Sequence, residues 1–258
     1  MNELALFAGA GGGLLASKWL LGWRTVCYVE NTAYPVAVLK ARIRDGLLDD
    51  APIWDDARTF DGRPWRGCVD IITAGFPCQP WAAGGKNWGE DDPRNLWPDT
   101  LRIIGETKPT WILLENSPNL LQFSYKRNRP PYIERIIAEL ARLGYVGRWG
   151  CLSAGAIGLD HKRRRLWIVA HATDQGREIV LRMHQKNCPA RDAKQTIASV
   201  ALESVWNRLS RLEERLGEPS VFGTDDGMAH RVDRLAAIGE GQVPAVVRVA
   251  WELLTETE

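Results

Sequence analysis

The sequence predicts a doubly wound α/β fold, in which helices cover both faces of a mostly parallel, Rossmann-like sheet. Short apolar runs alternate with longer segments of helical periodicity over residues 1–170, which is the rhythm of βαβ units. A glycine-rich turn follows the first of these runs, as is common in open α/β sheets. The chain has 258 residues with 45% hydrophobic content, which suffices for one substantial core with a small appendage.

Six short apolar runs are predicted to be strands. In chain order they are Leu4 to Phe7, Thr25 to Glu30, Val69 to Ala74, Trp111 to Glu115, Val146 to Leu152 and Leu166 to Ala170. Between them, Pro35 to Arg44 and Ile133 to Leu143 carry apolar residues three and four positions apart, which predicts surface helices.

The alternation stops near Thr173, which indicates a change in organisation. Residues 173–222 open polar and basic, and an amphipathic helix is predicted there by Val205, Leu209, Leu212 and Leu216. Pro244 to Leu254 returns to an apolar helical pattern. We therefore predict a main domain over residues 1–172, a small separate region over 173–222, and a segment over 223–258 that packs back on the main domain.

Composition gives no sign of a membrane, a metal or a secreted protein. No run of eighteen apolar residues occurs, and residues at the start lack the order of a signal peptide. The five cysteines are scattered without a CxxC pair, which disfavours zinc and favours a reducing compartment. We expect a cytoplasmic monomer. Because the net charge is only +1, any surface for nucleic acid must come from local clusters.

A glycine-rich turn and a carboxylate mark the first candidate site. Residues 4–13 run from a strand through Gly9, Gly11 and Gly12 toward a helix, which lets backbone approach a nucleotide-like ligand. Glu30 ends the next strand about 20 residues later, where a carboxylate can accept hydrogen bonds from ribose hydroxyls. The glycines do not complete a GxGxxG pattern, so a purely structural turn remains an alternative.

A cysteine at a strand end is the strongest candidate for chemistry. The predicted strand ending at Ala74 leads directly into Gly-Phe-Pro-Cys-Gln-Pro, which places Cys78 in a loop constrained by two prolines. Ligands of open α/β sheets bind beyond the carboxyl ends of strands. Cys78 is therefore predicted to be a nucleophile, whereas most lone cysteines are inert packing.

The loop that carries Cys78 resembles that of the DNA cytosine-5 methyltransferases of bacteria and phages, in which a proline-cysteine pair bears the catalytic thiol. Further similarities follow in the family's order, covering the chain except for about residues 173–223. Glu115-Asn116 resembles the family's ENV motif, residues 161–165 resemble QxRxR, and residues 238–244 resemble the closing IGN motif. The resemblance implies a Rossmann-like S-adenosylmethionine-dependent methyltransferase sheet with a small target-recognition region.

The resemblance also implies that S-adenosyl-L-methionine is the cofactor. It assigns cofactor contacts to Phe7, Ala8, Gly9, Gly11, Gly12, Glu30, Asn31, Asp56, Ala57, Pro77, Leu96 and Glu240. Two positions depart from the family pattern. Ala5 stands where an aspartate is frequent, and Glu240 stands where an asparagine is usual.

Double-stranded DNA is the partner that the resemblance implies. The resemblance assigns catalytic roles to Cys78, Glu115, Arg163 and Arg165. DNA contacts fall on Gln79 and on the basic residues of the separate region, Arg177, Arg182, Lys186, Arg191 and Lys194. Side chains alternate along an extended segment, so Lys162 and Arg164 are expected to face away from Arg163 and Arg165. For each of these charges a solvated surface position is the alternative, and for Glu115 a helix cap.

Other functions fit the same motifs. One is modification of cytosine in RNA, or transfer of a different group from a modified cofactor. Another is a DNA-binding regulator without catalytic activity, which Glu240 and the short recognition region would suit. Covalent trapping on DNA that contains 5-fluorocytosine separates an enzyme from such a regulator.

Overall fold

The computed structural model describes residues 1–77, 92, 94–122, 130–159, 163–173 and 241–256. Strands in these ranges form a single sheet in the order β3-β2-β1-β4-β5-β7-β6. Their bounds are β1 Asn2–Leu6, β2 Arg24–Val29, β3 Ile53–Trp54, β4 Ile71–Ala74, β5 Trp111–Asn116, β6 Tyr145–Ser153 and β7 Arg164–Ala172.

The sheet confirms the predicted doubly wound α/β class. Strands β1 to β5 pair in parallel, and β7 runs antiparallel between β5 and β6. Chain order reverses between β1 and β4, so the crevice beyond their carboxyl ends is the expected place for ligands.

Helices cover both faces of the sheet. They are α1 Gly12–Leu15, α2 Ala33–Arg44, α3 Trp97–Thr107, α4 Tyr132–Arg142 and α5 Pro244–Thr255. Helix α1 continues directly as a π-helix over Ala16–Leu20, and short 3-10 turns occupy Arg63–Trp65, Pro118–Leu121 and Ala154–Ile157. Among the described residues, no helix has the length and apolar character needed to cross a membrane.

Two elements escaped prediction, and most predicted ends of the strands differ from the observed ends by one or two residues. Strand β3 has only two residues, which is too short for a periodic pattern. Helix α3 buries Thr100 and Thr107 beside its apolar residues. These polar residues interrupt the apolar periodicity by which a buried helix face is recognised in a sequence. Phe7 was predicted to end β1 but has φ 55°, in the left-handed region, where the chain turns out of the strand.

Helix α5 packs against the π-helix and against β6 and β7. Its buried face includes Val246, Val249 and Ala250. Arg248 donates from Nη1 to the carbonyl oxygen of Leu20 at 2.8 Å and so joins α5 to the end of the π-helix. Residues 174–240, including nearly all of the predicted recognition region, lie outside the described residues, and the division at 172 and 222 stays a prediction.

A buried carboxylate lies in the sheet at Glu3, one residue before the start of the predicted strand Leu4 to Phe7. Glu3 of β1 is 1% exposed. Its oxygens accept hydrogen bonds from Ser17 Oγ at 2.8 Å, Thr25 Oγ1 at 2.8 Å and Thr73 Oγ1 at 2.6 Å. Burial raises the pKa of Glu3 in spite of these three donors. The network ties the π-helix to β1, β2 and β4 and thereby fixes the helix that follows the glycine-rich turn.

Candidate active site

The turn after β1 adopts left-handed backbone conformations, which glycine permits without steric cost. Gly9 and Gly11 have φ 55° and φ 92°, and Phe7 adopts a similar conformation at a steric cost of about 1 to 2 kcal/mol. Ala8 donates its N–H to the carbonyl of Val29, which holds the turn beside the end of β2. Gly12 begins α1 directly after the turn.

Glu30 follows β2 and faces this turn. One carboxylate oxygen accepts from the N–H of Gly9 at 2.8 Å, and the other accepts from the N–H of Thr32 at 2.9 Å. The residue is 9% exposed. A carboxylate has about four acceptor positions, so Glu30 keeps capacity for hydroxyl donors of a ligand. Its neighbour Asn31 is exposed and accepts from Thr32 Oγ1 at 3.1 Å.

The Asp56-Ala57 pair lies along the same edge of the sheet. Glu30 donates its N–H to the carbonyl of Trp54 at the end of β3, which brings the residues after β2 and β3 side by side. Asp56 Oδ1 accepts from the N–H of Arg58 at 2.9 Å, and the side chain is partly exposed. Ala57 is buried, and its carbonyl accepts from Arg102 Nη2 at 2.7 Å.

Cys78 and Gln79 lie outside the described residues, but the chain leading to them is fixed up to Pro77. Asn116, at the end of β5, donates from Nδ2 to the carbonyl of Phe76 at 2.9 Å. Phe76 is buried and its ring lies 5.5 Å from that of Trp97. Leu96, also buried, caps α3 beside Trp97. The residue after Glu115 therefore positions the approach to the predicted nucleophile.

Glu115 lies in a cleft between the end of β5 and the start of β7. The cleft is lined by Glu115, Arg163, Arg165, Trp167, Gln242, Val243 and Val246. Arg165 Nε lies 2.9 Å from Glu115 Oε1. Arg164 is exposed and does not line the cleft, so the alternation predicted for this basic run is observed for the described residues.

Two buried polar atoms in this cleft lack a hydrogen-bond partner among the described parts of the chain. They are Glu115 Oε1 and Trp167 Nε1, on residues that face each other across β5 and β7. Arg165 Nε lies 2.9 Å from Oε1, so the guanidinium attracts the carboxyl at that oxygen. Buried polar groups normally find partners, so this pair indicates a place for a polar ligand.

The pKa of Glu115 is raised above its ordinary range, because burial disfavours the charged form. Arg165 and Arg163 oppose this shift by attraction, and a hydrogen bond from Gln242 opposes it further. The side chain is 10% exposed. A buried carboxyl with a raised pKa is protonated more readily than an exposed one, and in its protonated form it can donate a proton or a hydrogen bond.

The structure brings together only part of the predicted set. The turn, Glu30 and Asp56-Ala57 lie on one stretch of the sheet edge, and Glu115, Arg163 and Arg165 lie together in the cleft. Glu240 and the basic residues Arg177, Arg182, Lys186, Arg191 and Lys194 lie outside the described residues. Within the described ranges, no cluster of three or more histidine, cysteine or acidic residues could hold a metal ion.

Sequence reasoning missed three residues at this site: Asn116, Trp167 and Gln242. Asn116 was noted as part of a motif, but its bond to Phe76 depends on β5 lying beside β4. Trp167 is an apolar residue type within an apolar strand, so the sequence predicts only a place in the core. Only the antiparallel register of β7, which places it opposite Glu115, reveals its position in the cleft.

The fold, with its turn and carboxylate at the point where the strand order reverses, is similar to that of solved methyltransferases. A Spodoptera frugiperda DNMT2 variant has a similar fold, with a TM-score of 0.53 and 20% identity, over 67% of this chain and 50% of that one. The chain belongs to the C-5 cytosine-specific DNA methylase family, because the sequence model of that family matches residues 1–219. The resemblance found in the sequence is thereby confirmed.

Two curated relatives are type II methyltransferases. M.NgoMIV of Neisseria gonorrhoeae is 34% identical over 169 residues, which are 66% of this chain and 51% of that protein. M.CviJI of Paramecium bursaria Chlorella virus IL3A is 31% identical over 182 residues, which are 70% of this chain and 46% of that protein. The matched region thus spans about half the length of these relatives.

Proposed function

We propose that the protein transfers a methyl group from S-adenosyl-L-methionine to carbon 5 of cytosine in double-stranded DNA. The observation that carries this proposal is the cleft around Glu115. A buried carboxyl with a raised pKa lies 2.9 Å from a guanidinium there, and the next residue holds the backbone that leads to Cys78. Membership of the cytosine-5 family gives the reaction for which such a cleft is suited.

The edge of the sheet from β1 to β3 suits the proposed cofactor. Glu30 keeps acceptor capacity toward ribose hydroxyls. The Gly9 region offers open backbone, since a Cβ on Gly9 would meet no atom of the described residues within 4 Å. Asp56 and Ala57 lie beside them for an adenine ring, with Phe7, Ala8, Gly11, Gly12, Asn31, Pro77, Leu96 and Glu240 as further contacts. When bound, the cofactor supplies an electrophilic methyl group.

Cytosine carbon 5 becomes nucleophilic only after the ring is activated. The thiolate of Cys78 adds to carbon 6, while Glu115 gives a proton or a hydrogen bond to nitrogen 3. Arg165 holds the carbonyl oxygen of the base, with Arg163 beside it. After carbon 5 has been methylated, a base or a bound water removes its proton. The sulfur–carbon bond then breaks, Cys78 leaves as a thiolate, and Glu115 recovers its proton.

The target carbon lies inside the stacked duplex, so the nucleotide must turn out of the helix at a cost of a few kcal/mol. We assign a DNA contact to Gln79 and target recognition to residues 173–222. The basic residues of that region would neutralise phosphates, which gives affinity that falls with salt but carries no sequence information.

The direct test is to express the protein in a bacterial host that lacks DNA methylation and to sequence methylated cytosines. We expect 5-methylcytosine within a defined short sequence. Purified protein should also form a covalent complex with DNA that contains 5-fluorocytosine, because the fluorine blocks the final elimination. Methylation confined to RNA would support the RNA alternative, and DNA binding without either product would support the regulator.

Replacing Arg165 with alanine is expected to lower turnover about a hundredfold, since it removes the donor proposed for the base carbonyl. Nonspecific DNA binding should fall much less. Single-turnover kinetics and a filter-binding assay separate the two effects. Arg164→Ala is the matched control, because that side chain is exposed and outside the cleft. Equal loss of nonspecific binding in both variants would reassign Arg165 to the DNA backbone.

A further inference from the structure

We propose that Gln242 is a positioning residue for Glu115. Its side-chain amide is seated between Gly13 and Gly75 so that it holds the carboxyl in the cleft. This inference rests on the proposed function, since it gives a role to a residue that supports the acid. It also assigns a function to the segment before α5, which lies more than a hundred residues from Glu115 in the sequence.

Three glycines leave the space that Gln242 occupies. A Cβ on Gly12 would overlap the backbone carbonyl oxygen of Gln242, and a Cβ on Gly13 would overlap its side-chain Oε1. A Cβ on Gly75 would lie 3.3 Å from Gln242 Nε2 and 3.3 Å from Glu115 Oε2. Gly12 and Gly13 begin α1, and Gly75 follows β4. The side chain therefore lies between the start of α1, the chain that leads to Cys78, and Glu115.

The amide of Gln242 lies beside the Glu115 carboxyl, because a Cβ on Gly75 would be 3.3 Å from both Gln242 Nε2 and Glu115 Oε2. A hydrogen bond between these two side chains is one of the contacts that oppose the rise in the pKa of Glu115. The charged groups that act on Glu115 from the described residues are Arg165 and Arg163, both at the start of β7. Gln242 thus fixes one carboxyl oxygen and leaves the other turned toward the cleft and Arg165.

Helix α5 determines where Gln242 lies. The helix begins at Pro244, two residues later, and is held against the π-helix by the bond from Arg248 to Leu20. Val243 and Val246 line the same cleft as Gln242. The docking of α5 therefore sets the geometry of the proposed acid, although α5 itself carries no proposed catalytic group.

The variant Gln242→Met tests this role because methionine keeps the length of the side chain and removes its amide. We expect kcat/KM to fall about tenfold, the loss typical of one hydrogen bond to a charged group. The lost bond favoured the ionised carboxyl, so the pKa of Glu115 should rise further. If the acid form is active, the limb where activity falls at alkaline pH should move to higher pH.

A direct titration separates this inference from the proposed function. Infrared spectra of protein with carbon-13 glutamate, after subtraction of the Glu115→Gln variant, follow protonation of Glu115 without any turnover. In Gln242→Met the midpoint should move to higher pH. An unchanged midpoint would overturn the role of Gln242, whether or not the protein methylates DNA.

Gly13→Ala supplies an independent test from the other side of the contact. The new methyl group should displace the Gln242 amide and shift the Glu115 midpoint in the same direction as Gln242→Met. Residues in one contact give non-additive effects, so the double variant should lose no more activity than the worse single variant. The control is Gly105→Ala in α3, whose Cβ would meet only Leu143 at 3.7 Å and 3.8 Å. Additive losses would contradict the proposed contact.

Discussion

Replacing Cys78 with alanine is expected to lower methyl transfer by at least about a thousandfold, because the thiolate is the only proposed nucleophile for carbon 6. DNA binding should change little, since a small side chain at the loop contributes chemistry more than contact area. Transfer of labelled methyl groups to DNA measures the first effect, and a gel-shift assay measures the second. The variant should also fail to form a covalent complex with DNA that contains 5-fluorocytosine.

The matched control is Cys68→Ala, which removes an exposed thiol at a position ahead of β4. Its transfer rate should equal that of the unchanged protein. If Cys78→Ala retained transfer, a different route to the activated base would be required, and the proline-cysteine loop would lose its proposed role.

The sequence predicted most of the sheet because its strands are short apolar runs with clear ends. The residues of β1, β2, β4 and β5 could be located within one or two positions, and the turn after β1 was evident from its glycines. The alternation of Arg163 and Arg165 with Arg164 followed from extended geometry alone. The local sequence pattern is enough to locate an element wherever burial of one of its faces determines which residue types it contains.

What the sequence could not predict depends on contacts between distant residues. Glu3 looks anomalous in a strand until Ser17, Thr25 and Thr73 are placed around it by the neighbouring elements. Gln242 belongs to the segment that resembles the closing motif, but that resemblance gives it no contact with Glu115. Its contact with Glu115 exists because α5 docks at the π-helix and because glycines at positions 12, 13 and 75 leave room.

Glu115→Gln is expected to reduce the rate of transfer about a hundredfold or more, because glutamine keeps the size of the side chain but has no proton to give. Affinity for S-adenosylmethionine should change little, since most of the proposed cofactor contacts lie on the β1 to β3 edge. Wild-type activity should fall as pH rises through the raised pKa of Glu115, whereas residual activity of the variant should lack that limb. Glu134→Gln, at an exposed position in α4, is the control and should match the wild type.

The same substitution should change stability with the opposite sign from activity. The folded protein raises the pKa of Glu115, so ionisation costs stability, and this cost appears as pH rises through the folded value. Glutamine resembles the neutral carboxyl and avoids the cost. The Tm of Glu115→Gln should therefore equal the wild-type Tm at acidic pH and exceed it at alkaline pH, as measured by calorimetry across that range. A Tm below the wild-type value at alkaline pH would mean that attraction by Arg165 and Arg163 outweighs burial, so that Glu115 is held as a charged residue and is unsuited to act as the acid.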